Sequence, residues 1–82
     1  MENQNQIIMY ATRWCPDCIR ARRLLDQKGI QYQFIDIDQD PQAKEIVMKI
    51  NHGNKSVPTI IFPDGSILVE PSNSDLSAKI SK

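Results

Sequence analysis

Short apolar runs along this chain alternate with stretches whose apolar residues recur every three or four positions. Ile7-Ile8-Met9-Tyr10 is a continuous apolar run bounded by polar residues and reads as a buried strand. From Pro16 the period changes: Cys18, Ala21, Leu24 and Leu25 form a helical stripe, with Arg20, Arg22, Arg23 and Lys28 mostly off it. Pro16 suits a first turn, where its missing N–H costs nothing, Asp17 is favourable beside it, and Gly29 marks the stop. Tyr32 to Ile37 is a second strand whose apolar positions change phase, as expected of a central or parallel strand covered on both faces. Asp40-Pro41 reads as an N-cap and first turn, Ala43, Ile46, Val47 and Ile50 as the buried face of a second helix, and Gly53 as its end.

Val57 to Phe62 is a third strand, Pro63-Asp64-Gly65 a turn, and Ile67-Leu68-Val69 a fourth strand returning as an antiparallel hairpin. Ser74 or a neighbour caps a short last helix carrying Leu76 and Ile80. The order is βαβαββα. Its two βαβ crossovers predict parallel pairing with helices packed on the sheet, and the hairpin makes the sheet mixed. With no linker, repeat or low-complexity segment, residues 1–82 are expected to form a single α/β domain.

Composition narrows the function. The 82 residues carry 10 basic and 10 acidic side chains, a balance that favours neither nucleic acid nor a membrane surface as partner. No apolar run approaches the roughly 20 residues of a membrane span. The start, Met1 to Gln6, is polar and unlike a secretory signal, so a cytoplasmic location is expected.

The two cysteines change the picture most. Both lie in Trp14-Cys15-Pro16-Asp17-Cys18, where strand gives way to helix. That spacing suits a dithiol that opens and closes a Cys15–Cys18 disulfide by exchange. Cys15 is expected exposed at the helix N-terminus, where the macrodipole and backbone N–H groups favour a thiolate, as the attacking sulfur. Cys18, one turn further in, is expected more buried, as the resolving thiol. Pro16 stiffens the turn between them, Asp17 opposes a thiolate nearby, and Arg13 favours one.

The alternative, half a metal site, lacks ligands. Structural zinc wants four, and His52 is the only other soft candidate, so no metal site is expected. A cluster shared between subunits remains the alternative of another class.

A second constellation is Val57-Pro58-Thr59. Proline at the start of a strand is either an ordinary trans edge residue or a cis turn that offers the Val57 backbone to an extended substrate. Trp14 is either a shield over the site or a half-buried aromatic. Lys55 attracts a substrate carboxylate or is solvated; Ser74 and Asp75 receive a substrate or only cap their helix. The arginines of the first helix and the acidic run Asp36 to Asp40 read as solvated faces.

Together these residues resemble the glutaredoxin family of the thioredoxin fold, over about Ile7 to Ile80. The motifs are Trp14-Cys15-Pro16-Asp17-Cys18, Ser56-Val57-Pro58-Thr59 and the hairpin with the last helix. The mycoredoxin-like members are nearest, through Met9-Tyr10, Thr12, Trp14-Cys15, the segment Asp36-Ile37-Asp38-Gln39-Asp40-Pro41, and Phe62-Pro63-Asp64-Gly65. The resemblance implies a three-layer α/β/α thioredoxin-like fold with a four-stranded mixed sheet. It also implies a cis peptide before Pro58, no bound cofactor, and a low-molecular-weight thiol, glutathione or mycothiol, as co-substrate. Lys55 fills the basic slot of the glutathione users, and Ser74-Asp75 matches their last-helix opening. Thr12 stands where many of them have lysine, and Pro71-Ser72 where many have Gly-Gly, which leans toward the mycoredoxin-like branch. The implied substrate-binding set is Arg13, Trp14, Pro16, Lys55, Val57, Pro58, Ser74 and Asp75. A monomer is expected, with mixed-disulfide proteins as substrates. A thioredoxin-like protein disulfide reductase recharged by a flavin disulfide reductase is the rival within the enzyme class.

Overall fold

The structure, a computed structural model, describes residues 6–81, so the polar start Met1 to Asn5 lies outside the described residues. The chain forms β1 (Ile7–Ala11), α1 (Pro16–Gln27), β2 (Tyr32–Asp36), α2 (Pro41–Ile50), β3 (Thr59–Ile61), β4 (Ile67–Val69) and α3 (Asn73–Ile80). The strands form a four-stranded mixed sheet in the order β2-β1-β3-β4.

Strand alternation divides the apolar residues between two faces. On one face Ile7, Met9 and Ala11 of β1, with Ile60 and Phe62, pack against Cys18, Ala21 and Leu25 of α1 and Leu76 of α3. On the other, Tyr10 packs with Ile37 and with Ala43 and Val47 of α2. The phase change in β2 has its cause here: Tyr32 and Phe34 join the first core, Ile35 the second.

β2 pairs parallel to β1, as one of the two readings of its phase change has it, and the order of the strands puts it at the sheet edge, not in the centre. β3 runs antiparallel to β1, so the second crossover is not a parallel one. Asp36 at the end of β2 lies opposite Ala11, and Thr59 at the start of β3 lies opposite Tyr10. The chain therefore leaves β2 and enters β3 at the same end of the sheet, and α2 with its flanking loops is an excursion that returns to that end. A further correction concerns α2: Ala43 and Val47 are buried, but Ile46 is exposed.

The ends of the elements follow local chemistry. Lys28 is the C-cap of α1 and Gly29 sits at φ +69, where the backbone N–H groups of Gly29 and Ile30 close on Asp26 and Leu25 carbonyls. Asp40 caps α2 by accepting from the Ala43 N–H at 3.1 Å. Ser72, not Ser74, caps α3, accepting from the Asp75 N–H at 3.0 Å. In the hairpin turn Asp64 accepts from the backbone and hydroxyl of Ser66 and from Lys79 of α3, which together hold its carboxyl well below the usual carboxylate range.

Candidate active site

Four loop ends meet at one rim of the sheet. The register places the segment after β1, the segment after β2, the segment before β3 and the segment after β4 at the same end. These carry Thr12 to Cys15, Ile37 to Asp40, Lys55 to Pro58, and Glu70 to Ser72. The topology thus gathers both sequence constellations without any long insertion.

Cys15 is the N-cap of α1, with extended backbone and no side-chain capping bond. Its sulfur stands where a serine or aspartate would ordinarily cap, at the positive end of the helix. It is half-buried, whereas Cys18 is fully buried in the core beneath α1. Both are free thiols. Burial pushes the Cys18 thiol up to about 12, with a further upward push from Cys15; the Thr12 N–H and hydroxyl act in the opposite direction. The expected asymmetry of the pair is therefore present, with Cys15 less open than anticipated.

Neither cation nor indole before Cys15 is free. Arg13 Nε pairs with Asp36 Oδ2 at 3.4 Å, while the arginine side chain stays 77% exposed. Trp14 is 70% exposed rather than half-buried, and its Nε1 donates to Asp38 Oδ2 at 2.9 Å. Asp17 pairs with Arg20 at 3.2 Å. Arg20 also donates to the Pro71 carbonyl and to Asn73 Oδ1, fastening α1 to the start of α3. Arg22 lies 4.3 Å from the centre of the Phe34 ring. Arg20 and Arg22 of α1, with Asp36 and Asp38 of the acidic run, thus make structural contacts, whereas Arg23 is exposed as expected of a solvated face.

The Val57–Pro58 peptide is cis. Pro58 is buried and Val57 half-buried between the two cores. Behind them Asn51 Nδ2 donates to the Val47 carbonyl and to Thr59 Oγ1, which in turn donates to the Ser56 carbonyl at 2.7 Å. Sequence reasoning missed this network; an asparagine at a helix C-cap followed by a buried threonine was the available signal. Lys55 is exposed and has no ion-pair partner among the described residues. Ser74 and Asp75 are exposed in the first turn of α3, and neither is the cap residue.

Among the described residues no group of three or more His, Cys, Asp or Glu could hold a metal ion, and no helix is long and apolar enough to cross a membrane. A cavity of about 470 Å³ lies at the other end of the sheet, lined by Ile7, Ile30, Phe62 and Lys79 among others, away from the cysteines.

The family model for glutaredoxin matches residues 7–67. The chain belongs to the glutaredoxin family. Mycoredoxin 1 of Corynebacterium glutamicum is 41% identical over 76 residues, covering 93% of this chain and 94% of the relative. Among solved structures, the glutaredoxin of Archaeoglobus fulgidus superposes with a TM-score of 0.77 at 24% identity, covering 100% of this chain and 98% of its own. That likeness carries the thioredoxin-like fold. A buckwheat glutaredoxin, solved as its glutathione complex, superposes with a TM-score of 0.61 at 27% identity over 73% of this chain and 56% of its own. As a glutaredoxin the protein is a thiol–disulfide oxidoreductase, an activity that fits two nearby cysteines and a low-molecular-weight thiol as co-substrate.

Proposed function

We propose that this glutaredoxin reduces mixed disulfides between proteins and a small thiol, with Cys15 as nucleophile and Cys18 as resolving thiol. The observation that carries the reading is the asymmetry of the pair: one sulfur half-buried at a helix N-terminus, the other fully buried one turn further in and held as a thiol by burial. Cys15 thiolate attacks the disulfide, forming a Cys15–S–S–R bond and releasing the other partner as a thiolate. The charge of Cys15 disappears in that adduct, and with it one of the influences holding the Cys18 proton. Cys18 loses its proton to water, its sulfur attacks Cys15, and RS⁻ leaves and takes up a proton. The Cys15–Cys18 disulfide is then reduced by two further thiols or by a flavin disulfide reductase.

The substrate groove runs along the rim. Trp14 and Pro16 form one wall beside Cys15, and the Val57 backbone before Pro58 offers strand-type bonds to an extended thiol peptide or amide. Lys55 and Arg13 supply positive charge for a substrate carboxylate, and Ser74 and Asp75 flank the N-terminus of α3. The co-substrate is a glutathione- or mycothiol-type thiol. The likeness to mycoredoxin 1 and the Thr12 and Pro71-Ser72 departures support mycothiol, and the buckwheat complex supports glutathione. We place the protein in the cytoplasm as a monomer; cell fractionation and sedimentation test this.

Cys15→Ser is expected to abolish turnover on every disulfide. Cys18→Ser is expected to keep turnover on small-thiol mixed disulfides and to lose reduction of protein disulfides. Equal loss in the two variants on a small-thiol substrate would overturn the assigned roles. A panel of mixed disulfides built on different small thiols, compared by kcat/KM, identifies the co-substrate.

A further inference from the structure

Thr12 is the one described residue whose side-chain polar atom is buried without a hydrogen-bond partner. It is only 3% exposed and follows directly on β1, whose last residue, Ala11, packs in the same core as the fully buried Cys18 of α1. Buried hydroxyls without a partner are rare in folded proteins and call for a reason. The reacting sulfur of Cys18, itself fully buried, is the group next to it on which the hydroxyl acts.

We propose that Thr12 is a catalytic residue of the resolving step, its hydroxyl donating a hydrogen bond to the Cys18 thiolate formed as that sulfur attacks the Cys15 mixed disulfide. This role rests on the dithiol reading given above and extends it to a third side chain. With Cys18 protonated, the hydroxyl makes no well-formed bond, and its pull on the sulfur is the weakest of the influences acting there. A negatively charged sulfur is a much stronger acceptor and draws the O–H in by rotation about the Cα–Cβ bond. The Thr12 backbone N–H favours the same charge. The hydroxyl therefore stands uncommitted in the ground state and is satisfied only when charge develops, which is how a preorganised donor accelerates a step.

Other groups do not fill this role. Cys15 is the ionisable neighbour acting on Cys18, and it opposes the thiolate. Asp17 and Arg20 of α1 are engaged with each other, and Arg13, ahead of α1, is paired with Asp36. On α3, Asp75 is exposed and Lys79 is paired with Asp64. A buried thiol that must ionise in an apolar core has no cation to help it, so a neutral donor is the remaining means of stabilising its charge. In the proton balance Thr12 takes no proton. Water accepts the one from Cys18, the new S–S bond joins Cys18 to Cys15, and the departing thiolate is reprotonated from solvent.

The test uses the reduced full chain and dithiobis-nitrobenzoate, a chromogenic aromatic disulfide. Attack by Cys15 releases one thionitrobenzoate, and resolution by Cys18 releases the second, so stopped-flow absorbance separates the steps. Thr12→Val keeps the side-chain shape and removes the hydroxyl. It is expected to slow the second release by roughly ten- to hundredfold relative to the first, the effect of one hydrogen bond to a charged group. The pH midpoint of the second release should move upward, and Thr12→Ser should restore both. The melting temperature of Thr12→Val should equal or exceed that of the parent, since an unsatisfied polar atom is removed. Should Val fail to fold, Thr12→Ala gives the same comparison.

An unchanged second release across the pH range overturns the role of Thr12 and leaves the dithiol reading standing. A parent protein that releases only the first thionitrobenzoate overturns the dithiol reading, and Thr12 with it.

Discussion

Cys18 makes the stability of the reduced protein sensitive to alkaline pH. Its ordinary value of 9.0 is raised to about 12 by burial. Between those two values the folded chain keeps a proton that the unfolded chain has lost, so stability falls as pH rises. The contribution is complete below pH 9 and is gone above about 12, and it amounts to a few kcal/mol, on the order expected for such a shift. Thermal melts of the reduced protein are therefore expected to drop more steeply above pH 9 than those of the disulfide form, which has no thiol to ionise; parallel curves would refute this. At this same scale the cysteine pair was legible in the sequence, because its logic is local: a spacing, a proline, and the change from strand to helix. The bonds from Arg13 to Asp36 and from Trp14 to Asp38 were not legible, since they exist only once β1 and β2 lie side by side in parallel register. Thr12 stood out in the sequence only as a residue in a position often held by lysine, and its burial needed the core to be seen.

Among the elements, α1 was read within a residue or so because each of its signals is strong: Pro16 at its start, a clear apolar stripe, and Gly29 just beyond its end. α3 was read one turn loosely. Two serines at its start, Ser72 and Ser74, compete as caps, and only the 3.0 Å bond to the Asp75 N–H selects Ser72. The direction of β3 was misread for a different reason. Local patterning reports that a strand exists, not the end of the sheet at which it begins, and residues 51–58 carry that information through the Asn51–Thr59–Ser56 bonds. Caps contribute measurably here. Asp40→Ala removes the acceptor of the Ala43 N–H and is expected to cost about 1 kcal/mol, read as a shift in the urea midpoint at constant slope. The same substitution leaves Cys15 chemistry untouched, so a large loss of exchange rate would contradict a purely structural role for Asp40.

At the scale of the whole molecule the two cores are unequal. Among the described residues, nine buried ones pack between the sheet and the α1/α3 layer, against four beneath α2. The α2 side is thus the weaker half, and native-state hydrogen exchange should find its amides opening at lower free energy than those of α1. Equal protection in the two helices would show that α2 is held by more than its apolar contacts. The α1/α3 half contains the cysteine pair, and Arg20 ties α1 to α3 across it, so loosening of α2 leaves the pair in place. The gathering of four chain segments at one rim has a practical corollary. Gln31, exposed between α1 and β2, lies at the far end of the sheet, about 16 Å from the rim by strand length. A fluorophore or an electrode linker grafted there would report on electron flow while touching none of the machinery that carries it.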